Sequence, residues 1–102
     1  MWFTSRRRKK LVRMLVTAAA RLEAVQGPIW SSYESGRDIA GFVLECKNAI
    51  EQGTITLAQK RKLWTIFAPT CDWDDVVGDV ILGNAIFEIL ESLYWEEIRA
   101  SP

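Results

Sequence analysis

Four carboxylates fall within eight residues of this chain, Asp72, Asp74, Asp75 and Asp79, inside the stretch Thr70-Cys71-Asp72-Trp73-Asp74-Asp75-Val76-Val77-Gly78-Asp79. Residues of this type at this spacing support three kinds of chemistry. Hard divalent cations are held by several carboxylate oxygens, and Asp75 and Asp79, four apart on one helical face, are candidate magnesium ligands. Aspartates at a helix start satisfy free N–H groups and face the positive end of the helix dipole, which makes Asp72 the expected N-cap and puts Asp75 at the third helical position. The third chemistry is docking: Trp73 ringed by Asp74, Asp75 and Asp79 forms an acidic surface with an aromatic anchor.

The rest of the inventory is narrow. The chain has no histidine, which excludes Ser-His and Cys-His nucleophile pairs and every histidine-ligated metal site. Its two cysteines, Cys46 and Cys71, make a poor disulfide framework and point to reduced thiols in the cytoplasm. Net charge is zero but unevenly spread. Residues 1–30 carry seven Lys/Arg against one acid, and residues 31–102 carry six against twelve. The basic excess lies in Arg6, Arg7, Arg8, Lys9 and Lys10, a run suited to the phosphates of nucleic acid or to an anionic membrane surface. Trp30 and Tyr33, two aromatics in a Gly/Ser-rich loop, are further partner-contact candidates.

The segment Asp75-Val76-Val77-Gly78-Asp79-Val80-Ile81-Leu82 resembles the second acidic motif of the all-α nucleotide pyrophosphatases of the MazG type, in which acids, a glycine and an aspartate precede an apolar run. The resemblance implies magnesium held by helical acid pairs from two helices. It covers under a tenth of the chain. Val76 stands where the motif places an acid, and the partner Glu-x-x-Glu pair is missing, since the second helix offers only Glu45 and Glu51.

The elements that would position these residues follow from apolar periodicity. Leu11, Leu15, Ala18, Leu22 and Val25 fall on one stripe, giving a helix over about 6–26 with a frayed basic start, ended by Gly27-Pro28. Arg13 interrupts the apolar run that an export signal would need, and no run reaches the ~20 residues that span a bilayer. Ser35 is the preferred N-cap of a second helix, which carries Ile39, Phe42, Val43, Cys46 and Ile50 inward and stops at Gly53. Thr56 and Gln59 form a capping box for a third, to about Phe67, with Leu57, Leu63, Trp64 and Phe67 inward. Ala68-Pro69 breaks it. Residues 73–99 then give two helices, divided at Gly83-Asn84, the first with Trp73, Val76, Val77, Val80 and Ile81 on its apolar stripe. Phe42, Val43, Cys46, Trp64, Phe67, Val77 and Leu90 are the predicted core.

The sequence therefore predicts an all-α fold, a compact bundle of four or five short helices. Residues 1–10 form a basic, flexible segment and 11–102 a single helical domain. The expected role is a small, non-enzymatic, intracellular protein–protein interaction module that presents an acidic face, residues 72–79 and 88–97, to a basic partner. Immunity or inhibitor proteins are the analogy in size and charge. Partner contacts are assigned to Trp73, Asp74, Asp75, Asp79, Trp30 and Tyr33, and no cofactor is expected. A second copy of the chain is a further candidate partner. The alternative is a magnesium-dependent all-α nucleotide phosphohydrolase that uses the clustered acids, with Asp75 and Asp79 as metal ligands.

Overall fold

The computed structural model describes residues 2–25, 35–69 and 71–100, with side chains from Ser5 onward. Trp30 and Tyr33 lie outside the described residues. Five helices follow one another: α1 (Trp2–Glu23), α2 (Gly36–Gln52), α3 (Leu57–Phe67), α4 (Asp72–Val76) and α5 (Val80–Arg99). The fold is an all-α bundle, and no described residue is in a strand. No helix is long and apolar enough to cross a membrane among the described residues.

Local chemistry sets most of the boundaries. Ser35 caps α2, its Oγ accepting from the Asp38 N–H and donating in turn to the Asp38 carboxylate at 2.9 Å. Gly53 closes the same helix in the left-handed region at φ 71°, its N–H reaching the carbonyls of Ala49 and Ile50. Thr56 and Gln59 complete a reciprocal capping box on α3. The first helix differs from expectation. It starts at Trp2, so the basic run lies within α1, and it ends at Glu23 rather than near residue 26.

The break in the acidic half also falls elsewhere than expected. Gly83 and Asn84 lie inside α5, and the chain divides at Val77-Gly78-Asp79 instead. Gly78 takes φ 79°, which glycine adopts at little cost, and Asp79 caps the helix that follows. This division resets the helical phase. Val80 and Ile81, which would share a stripe with Trp73 on one continuous helix, are instead 49% and 86% exposed.

The core gathers Leu11, Leu15, Ala18 and Leu22 of α1, Ile39, Val43 and Cys46 of α2, Leu63, Ile66 and Phe67 of α3, Trp73, and Ile86 and Leu90 of α5. Four of the predicted core residues are buried: Val43, Cys46, Phe67 and Leu90. Phe42, Trp64 and Val77 are only half-buried. Leu57, at the first turn of α3, is exposed rather than inward. Lys62 Nζ lies 4.4 Å from the centre of the Phe42 ring, and Trp64 stacks obliquely on Phe87 with ring centres 5.5 Å apart, so both aromatics sit at the rim of the core.

Candidate functional site

The acidic segment is built on one buried indole. Trp73 has no exposed surface. Its ring packs on Phe67 at 5.2 Å between centres, its Nε1–H donates to the Asp79 carbonyl at 2.7 Å, and α5 approaches it at Gly83. A Cβ built at Gly83 would stand 2.4 Å from Trp73 Cδ1, so glycine is what admits the indole. Trp73 is therefore an internal anchor and is not offered to a partner. An apolar ring with its single polar atom satisfied gains more from burial than from water.

The aspartates exchange the roles that their positions suggest. Cys71, not Asp72, is the N-cap residue of α4, and it makes no side-chain cap hydrogen bond. Asp72 is already in the first turn, where partial burial and then the Asp75 carboxylate raise its pKa above the usual aspartate range. Asp79 is the residue that caps: its Oδ1 accepts from the Leu82 N–H at 3.1 Å, and its Oδ2 pairs with Arg21 of α1 at 2.8 Å. The Leu82 hydrogen bond, then that from Arg21, hold its carboxyl below the usual range. Asp75 and Asp79 lie on opposite sides of the Gly78 turn and so do not share one helical face. Among the described residues, no group of three or more Cys, Asp or Glu side chains is placed to hold a metal ion. The expected magnesium pair thus has one member already committed to the fold.

The second part of the expected acidic face, 88–97, is largely engaged within the chain. Glu91 accepts from Trp64 Nε1–H at 3.2 Å, Glu97 pairs with Lys60, and Glu96 pairs with Arg99 at 2.9 Å. Glu88 is exposed. At the surface of the acidic end stand Asp75, exposed, and Asp74, half-buried, with the projecting Val80 and Ile81 close by in sequence at the start of α5.

The two thiols are both free. Burial pushes the Cys46 thiol up to about 12, with Glu45 adding to the effect, so it is an inert core group. Cys71 is half-buried at the α4 cap.

Sequence reasoning missed the apolar part of this surface. Ile81 was assigned to the interior by periodicity, and the signal that would have corrected it is the dipeptide Gly78-Asp79, a helix stop followed by a cap. The chain matches no family model, and neither the curated proteins nor the solved structures contain a match to it.

Proposed function

We propose that this chain is a small, non-enzymatic protein–protein interaction module of the cytoplasm, of the immunity or inhibitor type in size and charge. Its contact face is the acidic end, formed by Asp74 and Asp75 of α4 and by Val80 and Ile81 of α5. The observation that carries the proposal is Ile81, which leaves 86% of its surface in water at a helix start preceded by carboxylates. A large aliphatic side chain gains from leaving water, and carboxylates beside it select a basic partner and steer its approach. The free thiols accord with a reducing compartment. The phosphohydrolase alternative gains no support from the geometry, because Asp79 is held by Leu82 and Arg21.

The test is a paired affinity capture with wild type and the Asp75→Asn/Ile81→Ser double variant, read by quantitative mass spectrometry. A basic protein retained by wild type and lost by the variant is expected, with binding that weakens as salt rises. Identical capture lists for the two proteins would reject this face. A sharp rise in melting temperature on adding magnesium would instead favour the phosphohydrolase.

A further inference from the structure

Arg21 near the end of α1, and Lys47, Lys60 and Arg99 elsewhere, each pair with a carboxylate. Arg8, Lys9, Lys10 and Arg13 make no side-chain hydrogen bond or ion pair among the described residues, and all four are exposed. Arg7 is turned to the Ser92 hydroxyl at 2.7 Å, not to an acid. Arg6, Lys9, Lys10 and Arg13 recur at spacings of three and four, so they share one face over roughly 10 Å of helix.

Two open depressions flank this face. One, of about 250 Å³, is lined by Arg6, Arg7, Lys10 and Arg13 alone. The other, of about 580 Å³, lies between α1 and the end of α2, and Arg8, Lys9 and Arg13 border it. Glu51 also borders it, but its carboxylate is 2.6 Å from Lys47 Nζ. The carbonyls of Ala49 and Ile50 at that end of α2 accept from the N–H groups of Gly53 and Thr54, so they place no demand on the α1 cations.

The kind of anion follows from what the face lacks. An interfacial membrane helix needs a free apolar face. In α1, Leu11, Leu15, Ala18 and Leu22 are fully buried in the protein's own core. Single-strand binders stack bases on exposed aromatics, and among the described residues the exposed aromatic is Trp95, on α5. A small phosphate ligand calls for an enclosed site, whereas these depressions are open and their cations solvated. An extended row of solvated cations suits a polyanion with regularly repeated charge. Duplex nucleic acid carries about one phosphate per ~1.7 Å of its axis, enough to engage every cation along the row.

We propose that the α1 face bearing Lys9, Lys10 and Arg13 is a docking surface for the phosphate backbone of duplex nucleic acid, bound without base readout. It stands apart from the acidic end: Arg21, which marks that end through Asp79, lies two to three turns further along α1 than Arg13.

The experiment is fluorescence anisotropy of the full chain with a labelled 20-base-pair duplex of arbitrary sequence, from low to physiological salt. Saturable binding at low salt is expected, with a log–log salt slope of about −2 to −3, since three cations release counterions at about 0.9 each. Lys9→Glu/Lys10→Glu/Arg13→Glu should weaken binding at least tenfold. The Gln triple variant should weaken it less, and Arg37→Glu on α2 should change it less than twofold. Melting curves confirm that each variant is folded. Absence of binding at low salt, or equal binding by the folded Glu or Gln triple variant, would overturn the proposal. So would binding to phosphatidylglycerol vesicles with no binding to the duplex.

Discussion

Asp72 and Asp79 stand at the two ends of the acidic segment, and the fold uses them in opposite ways. The Asp79 carboxylate is held by Leu82 N–H and Arg21, while Asp72 is partly desolvated next to Asp75. A carboxyl whose folded pKa is lowered stabilises the protein above its unfolded value, near ~3.9 for aspartate, and that stabilisation is lost as pH falls through the folded value. For Asp72 the sign reverses: the raised pKa is a destabilisation present at neutral pH and relieved on acidification. Asp79→Asn keeps an oxygen for the cap and removes the charge that meets Arg21, whereas Asp79→Ala removes both. Melting temperatures at pH ~7 should therefore fall in the order wild type, Asp79→Asn, Asp79→Ala, and the gap between wild type and Asp79→Asn should narrow from pH ~5 downward. Asp72→Asn should lose no more than about 0.5 kcal/mol, the scale of ordinary surface changes. If Asp72→Asn were more damaging than Asp79→Ala, Asp72 would be the cap after all. On sequence alone the cap falls at Asp72 and Asp79 goes to the surface. The sequence could not show Asp79 as a cap, because that role depends on where the chain breaks and on Arg21, 58 residues away.

The helices themselves were legible wherever a cap is written in neighbouring residues. Ser35, Gly53, Thr56 and Gln59 act locally: α2 begins and ends, and α3 begins, where those residues place them. Between α4 and α5 two stop signals compete, Gly78-Asp79 and Gly83-Asn84, and a tertiary contact decides between them. The Trp73 indole occupies the space over Gly83, so Gly83 must stay inside a helix that passes close to the ring. Two glycine substitutions separate the effects. Gly41, exposed on α2 with nothing within 4 Å of an added Cβ, should gain stability on change to Ala, by about 0.5–1 kcal/mol from helix propensity. Gly83→Ala receives the same gain, but its methyl meets a ring pinned by Phe67 and by the hydrogen bond to the Asp79 carbonyl. Overpacking of this kind typically costs ~1–3 kcal/mol, so the net change should be a loss of about 1–2 kcal/mol. Urea unfolding measures both, and a Gly83→Ala protein as stable as Gly41→Ala would mean that Trp73 is not held where the fold places it.

At the scale of the whole molecule, α1 binds the bundle together, since it packs on both α2 and α5. Its contribution is unevenly distributed along its length. Leu11, Leu15, Ala18, Ala19 and Leu22 are buried, whereas every described side chain from Ser5 to Lys10 is exposed. Deleting residues 1–10 removes five cations, shifting the formal net charge from 0 to −5, yet none of the ion pairs Arg21–Asp79, Lys47–Glu51, Lys60–Glu97 and Arg99–Glu96 includes a deleted residue. The deletion takes away the exposed Arg7–Ser92 hydrogen bond, worth on the order of 1 kcal/mol at most. The truncated chain should therefore unfold in one cooperative transition, with a urea m-value reduced only in proportion to the surface removed, and with a stability loss of about 1–2 kcal/mol once the added like-charge repulsion is included. That loss should shrink at high salt, where the unbalanced acidic charge is screened. A broad or non-cooperative transition at any salt concentration would instead show that apolar surface within residues 1–4 belongs to the core, and that the stabilising part of α1 begins before Leu11.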